Sequence, residues 1–313
     1  MRIGYDAKRI FHNASGLGNY SRDLVRIVAT HHPKNYYRLY NPKKRTLNRW
    51  KALLNTTEIQ PIGIWRWLHA LWRQGPIVRQ LKKDKIDLYH GLSGELPKGL
   101  DIPSVVSVHD LIFYRYPELY KSIDVTIHKK KVNHAVKTAT KLIAISEQTK
   151  SDIVQFTGVS AEKIDVIYQG CHPIFKKRLN KTQLKFIAEK YQLPENFVLY
   201  VGTLEERKNA LSIAKALKET KHHMVFVGKV KAYGEKLKTY VKENNMQDRV
   251  VFINHIGIED LAGIYQNANV FCYPSFFEGF GIPIVEALYS GIPVITTKGG
   301  CFSEAGGPSS IYI

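Results

Sequence analysis

The sequence predicts an α/β fold built from two Rossmann-like, doubly wound parallel-sheet domains facing a cleft. Three observations carry that expectation. The chain has 313 residues, beyond the roughly 250–300 at which one hydrophobic core usually stops growing. Its hydrophobic content of 44% suits folded globular domains and excludes a disordered chain. Short β-branched runs alternate with helical patterns from the first residue onward, the rhythm of parallel strands joined by crossover helices.

The first series of strands is expected at residues 3–6, 37–40, 86–89, 104–108, 142–145 and 164–167, and the second at 197–201, 223–227, 250–253, 270–273 and 293–296. Between them a polar, lysine-rich stretch around residues 175–185, following CHPIF, reads as the interdomain crossing. The expected domains are therefore 1–180 and 181–313. The closing SSIYI reads as the opening of a further strand, so the second domain is expected to be incomplete at its C-terminal end.

The opening MRIGYDAKRI lacks the apolar core of a signal peptide, and no run approaches the roughly 18 apolar residues of a membrane span, which makes a cytoplasmic location the expectation. Cys171, Cys272 and Cys301 stand far apart without metal-ligand spacing, and are expected to be reduced structural thiols. The net charge of +19 is unevenly spread: residues 1–190 hold 34 Lys+Arg against 15 Asp+Glu, residues 191–313 hold 12 against 12. Such asymmetry implies that one domain faces a polyanion, whether nucleic acid, anionic membrane or phosphorylated substrate. No nucleic-acid module is recognisable, so nucleic acid is not expected.

The chemistry concentrates in EGFGIPIVEALYSGIPVI, which begins at Glu278. A strand ends at Pro274, a loop with Gly279 and Gly281 follows, and Pro283 occupies a first helical position, where its missing amide costs nothing. The helix, expected over residues 283–289, stops before Gly291. Its open amides at Gly281 and Ile282, with the positive end of the helix dipole, make an anion site at the carboxyl end of a parallel strand. Glu278 and Glu286 frame it. Carboxylates repel phosphate, so they are better explained as acceptors for ribose and sugar hydroxyls.

EGFGIPIVE resembles the E-x7-E motif of glycosyltransferase family 4, retaining enzymes of the two-domain GT-B fold. The resemblance implies that Glu278 contacts the transferred sugar and Glu286 the ribose, with Gly279, Phe280, Gly281 and Ile282 lining the donor between them. A second element agrees with it. The strand FVLYVG runs into TLEERKN, which places Arg207 and Lys208 at a strand end, where adjacent cations suit a diphosphate. Family members carry a similar GTLEPRKN, whose cations neutralise the leaving diphosphate. Here Glu206 replaces the usual proline, which questions the rigidity of that loop.

In the first part, Ser15-Gly16-Leu17-Gly18-Asn19-Tyr20 resembles the family's N-terminal glycine-rich loop, which implies that Gly16 and Gly18 approach donor phosphate and acceptor. It fails as a dinucleotide fingerprint, because Ser21 stands where the third glycine belongs. The strand PSVVSVHD delivers His109 to its carboxyl end, matching the family histidine that hydrogen-bonds sugar or acceptor. His31-His32 and His222-His223 are too close within each pair to form a metal site alone, and no DxD-type pair stands in a suitable loop, so neither metal nor cofactor is expected.

All four tryptophans lie between positions 50 and 72. On a helical wheel Ile64, Trp65, Leu68, Leu71 and Trp72 share one face, while Arg66, Arg73 and Gln74 lie elsewhere, which predicts an interfacial helix on an anionic membrane. The combined expectation is a metal-independent, retaining transfer of a hexosyl unit, such as mannosyl, from a GDP- or UDP-linked sugar to a lipid-linked or polysaccharide acceptor, at the inner face of the membrane. An epimerase of sugar nucleotides on the same fold and a non-catalytic membrane-associated binding protein are the alternatives.

Overall fold

A computed structural model describes residues 1–313, which divide into two compact units, Met1–Gln169 and Gly170–Ile313. The stretch expected to be a crossing is part of the second unit. Phe175 is buried there, edge-on to Tyr265 with ring centroids 5.6 Å apart, and Arg178 donates to the Ser290 carbonyl at 2.6 Å.

The first unit is one parallel sheet of seven strands: β1 (Arg2–Asp6), β2 (Tyr36–Tyr40), β3 (Thr56–Ile59), β4 (Leu88–Gly91), β5 (Ser104–Val108), β6 (Lys141–Ala144) and β7 (Ile164–Val166). Their order is β3-β2-β1-β4-β5-β6-β7. A sheet covered on both faces needs apolar residues on both. Val106, Leu142 and Ala144 accordingly pack with the helical Leu81, Val132 and Val136 in one cluster, and Ile3, Tyr5 and Leu39 with Ile10 and Val25 in another. β4 begins two residues later than expected, because the Ile86 amide still closes the preceding helix on the Leu81 carbonyl and Lys85 takes φ +54°. β3 was not expected. It is a short polar edge strand with no clean alternation.

The second unit is a parallel sheet of six strands: β8 (Phe197–Val201), β9 (His223–Val227), β10 (Val250–Ile253), β11 (Val270–Tyr273), β12 (Val294–Thr296) and β13 (Ile311–Tyr312), ordered β10-β9-β8-β11-β12-β13. SSIYI supplies β13, with Ile311 and Tyr312 paired to Ile295 and Thr296. In each sheet the winding reverses beside the first strand, between β1 and β4 and between β8 and β11. The loops leaving the carboxyl ends of those strands diverge there, and open α/β sheets bind ligands in that opening.

The tryptophan segment departs from the expectation. Gly63 at φ +58° starts a short 3-10 turn, Gly63–Arg66, and a separate single turn spans His69–Trp72, so residues 64–74 form no continuous helix. Trp72 is buried in the core and Trp65 packs partly against it, while Ile64, Trp67, Leu68 and Leu71 remain exposed, Trp67 at 86%. The face drawn on the wheel is thus split between core and surface. Trp50 is buried in the other cluster. No helix is long and apolar enough to cross a membrane.

Candidate active site

The switch point of the second sheet brings together the loops after β8 and β11. The chain leaves β8 through Gly202 at φ +155°, and a Cβ on Gly228 would meet the Gly202 carbonyl at 2.0 Å, so the ends of β8 and β9 close together only because that position lacks a side chain. The loop then folds into the 3-10 turn Glu206–Lys208, closed by the Lys208 amide on the Glu205 carbonyl, and Asn209 at φ +51° opens the helix Ala210–Leu217. The turn is well formed without the proline that Glu206 replaces. It is tied across to the β11 loop: the Phe276 amide donates to the Arg207 carbonyl at 2.8 Å, and Arg207 Nη1 to the Phe277 carbonyl at 3.0 Å.

Glu278 lies at the centre. Its Oε1 receives Arg207 Nη1 at 2.9 Å, Lys208 Nζ at 3.0 Å, the Tyr273 hydroxyl at 2.9 Å and the Ser275 hydroxyl at 3.0 Å. Burial alone would raise this carboxyl, but the charges of Lys208 and Arg207 outweigh it and bring it down to about 2. It is ionised at any working pH. All four contacts fall on Oε1, leaving Oε2 to accept a hydroxyl from a ligand. Arg207 also pairs with Glu205 at 3.0 Å, and Glu205 with Lys231 at 2.6 Å. Three cations therefore face two carboxylates, a small positive excess at the strand ends. Thr296 and Thr297 fix the loop from behind through the Tyr273 and Ser275 carbonyls, and Cys301 Sγ donates to the Glu278 carbonyl at 3.1 Å.

The following helix is Ile282–Ser290, with Gly281 at φ +110° before it, Pro283 in its first turn and Gly291 at φ +81° after it, one residue longer at each end than expected. The Gly281 and Ile282 amides donate to no atom of the protein, so the helix presents open donors and its positive dipole end. Glu286 lies along this helix, its Oε2 accepting the Tyr265 hydroxyl at 3.0 Å. Burial pushes its carboxyl up to about 7, against the pull of that hydrogen bond. The two glutamates of the motif thus differ: Glu278 is held ionised by cations, and Glu286 titrates near neutrality.

In the first unit the glycine-rich segment is helical. A short helix, Lys8–His12, follows β1, and Gly16 and Gly18 lie in the first turn of the helix Gly16–His31. Gly18 is sterically required, since a Cβ there would meet the Asn13 carbonyl at 1.9 Å, whereas Gly16 faces open space. His109 directly follows β5, its ring 4.5 Å edge-on from that of Tyr20. Nε2 lies 2.9 Å from the Leu92 carbonyl, which only accepts, so Nε2 carries the proton and Nδ1 accepts the Gln169 amide at 3.1 Å. Burial holds the ring well below its ordinary value, at about 4. His109 is therefore a neutral group with both nitrogens engaged, and a sugar hydroxyl reaches Nδ1 only by displacing Gln169.

Each of the two sheets organises its own predicted residues: Arg207, Lys208, Glu278, Gly279, Phe280, Gly281, Ile282 and Glu286 follow strands of the second, and Gly16, Gly18 and His109 follow strands of the first. Tyr273, Ser275, Tyr265 and Gln169, which hold the predicted side chains in place, were not singled out. Only Tyr273 left a signal, sharing a strand face with Phe271 directly before the motif. No cluster of three or more His, Cys, Asp or Glu side chains is placed to hold a metal ion.

The site geometry agrees with what the chain resembles. Residues 15–173 match the family model described as Glycosyltransferase Family 4, and residues 182–308 that described as Glycosyl transferases group 1. Among curated proteins, the chain is 26% identical to the O-antigen chain mannosyltransferase B of Escherichia coli, over 99% of this chain and 86% of that protein. It is 29% identical to the O-antigen chain mannosyltransferase RfbU of Salmonella typhimurium, over 66% of this chain and 56% of that protein. Among solved structures, sucrose-phosphate synthase from Thermosynechococcus elongatus superposes with a TM-score of 0.77 at 21% identity, covering 97% of this chain and 83% of that one. HepE of Anabaena, solved in complex with UDP and glucose, superposes with a TM-score of 0.71 at 20% identity, covering 97% and 82%. These structural likenesses show the GT-B fold of two Rossmann-like units. With a family model spanning half the chain over the first sheet and a second, adjoining match spanning the ionised Glu278 and its two cations, the chain belongs to glycosyltransferase family 4.

Proposed function

We propose that this glycosyltransferase moves a hexosyl unit, mannosyl by analogy with its O-antigen relatives, from a GDP- or UDP-linked sugar to a hydroxyl of a lipid-linked or polysaccharide acceptor, with retained anomeric configuration and without a metal. The observation that carries this reading is Glu278: ionised, anchored through Oε1 by Arg207 and Lys208, and open at Oε2. In this reading Oε2 accepts a sugar hydroxyl. Donor N–H groups of Arg207 and Lys208 not spent on carboxylates, together with the Gly281 and Ile282 amides, stabilise the charge that develops on the departing diphosphate, with no metal needed for that step. Glu286 accepts from the ribose. No side chain is required as nucleophile, because a donor phosphate oxygen takes the acceptor's proton on the face from which the diphosphate leaves.

The exposed Ile64, Trp67, Leu68 and Leu71 lie within residues 1–190, the stretch that carries the whole charge excess. This supports contact with an anionic membrane, by a few protruding side chains in place of the expected helix. The deciding experiment is a panel of UDP- and GDP-sugars, measuring nucleoside diphosphate release with and without acceptor. Acceptor-dependent release supports transfer, and turnover of donor without acceptor, with inversion at a sugar carbon, supports an epimerase instead.

A further inference from the structure

The switch point of the first sheet holds charge that the reading above leaves unused. Asp6 ends β1 and accepts Arg73 Nη2 at 2.6 Å and Nε at 2.9 Å, and Arg73 Nη1 pairs with Glu95 at 2.8 Å, which also takes Lys131 at 3.3 Å. Both carboxylates are thus committed to Arg73 and Lys131. Lys8 and Arg9 follow Asp6 after Ala7 and make no ion pair. Arg9 Nε is buried with no hydrogen-bond partner at all. Its backbone is firmly held, since Ile10 and Phe11 are fully buried and Arg22 donates to the Ile10 and Asn13 carbonyls at 2.8 and 2.9 Å. A buried guanidinium nitrogen with an unmade bond is a cost to the fold that calls for an explanation, a bound ion among them, and the rest of this half-buried side chain remains reachable from solvent. The position agrees, because the carboxyl end of β1 beside β4 is where an open α/β sheet binds ligands. His109 is close enough for the Arg9 charge to depress it.

We propose that Arg9, with Lys8 beside it, is the anion-binding element of an acceptor subsite in the first unit, taking a phosphate group that the acceptor carries. The assignment to acceptor rests on the reading that the donor diphosphate is bound by Arg207 and Lys208 of the second unit. Guanidinium to phosphate is a charge-assisted contact with matched geometry, and the neighbouring ammonium adds to it. A phosphate on a polyprenyl carrier and one on a hexose offer the same chemistry, so the test must separate them.

The experiment is titration calorimetry on the full chain saturated with UDP or GDP, adding farnesyl diphosphate in one arm and glucose 6-phosphate in the other. At least one ligand is expected to bind, and Arg9→Met to weaken it by about tenfold or more, with nucleotide affinity unchanged. Arg9→Lys recovers part of the loss, and neither variant lowers the unfolding midpoint, because the arginine satisfies nothing in the fold. The arm that responds identifies the source of the phosphate. If the chain binds neither nucleotide but still binds a phosphate ligand through Arg9, the donor reading fails and the subsite stands. Equal affinity in wild type and Arg9→Met, binding of neither ligand, or a variant that unfolds several degrees earlier overturns the proposal.

Discussion

Lys208 Nζ lies 3.0 Å from Glu278 Oε1, although the two residues leave different strands, β8 and β11, of the second sheet. This contact links the predicted diphosphate cations to the predicted sugar carboxylate, and it couples the roles of the two residues. Lys208→Ala removes a cation proposed to act in the transition state, at an expected cost on the order of 2–4 kcal/mol of barrier. It also leaves a largely buried carboxylate with one cation fewer, so some stability is lost as well. Steady-state turnover and thermal unfolding of the same variant separate the two effects, and near-normal turnover in a folded variant counts against the role.

The acid limb of stability belongs in part to Glu278. Its carboxyl is lowered from the ordinary 4.5 to about 2 in the folded chain, so its stabilisation is fully present above 4.5 and is lost as the pH falls from there toward 2. Glu278→Gln should flatten the unfolding midpoint over that window relative to wild type. An unchanged profile would mean that the ion pairs with Arg207 and Lys208 are not made in solution.

Glu286 has the opposite sign. Burial raises it to about 7, so the folded chain holds the proton more tightly than the unfolded one, and this group's contribution to stability falls as pH rises from 4.5 toward 7. A ribose acceptor works best ionised, so affinity for a nucleotide sugar is expected to strengthen as pH rises through about 7. Tyr265→Phe, which removes the hydrogen bond that lowers Glu286, should move that midpoint upward, and Glu286→Gln should abolish it. Donor titrations between pH 5.5 and 8.5 provide the check, since the diphosphate of an intact sugar nucleotide does not itself titrate there.

His109 is held at about 4 by burial. Its ring signals in NMR are therefore expected not to move between pH 5.5 and 8, and Gln169→Leu should perturb them by freeing Nδ1. A titration near 6.5 in the wild type would show the ring to be solvated and the Leu92 and Gln169 contacts absent.

Trp67 and Leu71 are exposed at 86% and 54%. Trp67→Ser with Leu71→Ser should weaken binding to vesicles containing anionic lipid by on the order of tenfold, while turnover on a soluble acceptor stays at the wild-type level. Co-sedimentation measures the first and nucleotide release the second. Equal sedimentation of the variant would place the membrane contact elsewhere.

What was legible in the sequence was what neighbouring residues decide among themselves. The helix start after Glu278 follows from Gly281, Pro283 and Gly291, each of which constrains its own backbone, and the parallel strands follow from their apolar runs. The tryptophan segment failed for the complementary reason. The wheel assumed one helix where the chain makes two separate turns broken at Leu68, and which tryptophan turned inward was settled by distant core residues around Trp72. The motif likewise told that Glu278, Arg207 and Lys208 existed in suitable loops, but not that both cations would meet on one Glu278 oxygen, or that burial would leave Glu286 near neutrality. Those outcomes depend on strand order. The sequence by itself determined the two series of parallel strands and the local turns, because dihedral preferences act over a few residues. The tertiary structure alone decided which loops became neighbours at β1 and β4 and at β8 and β11, because burial and Coulomb interactions act between groups that the chain order keeps apart.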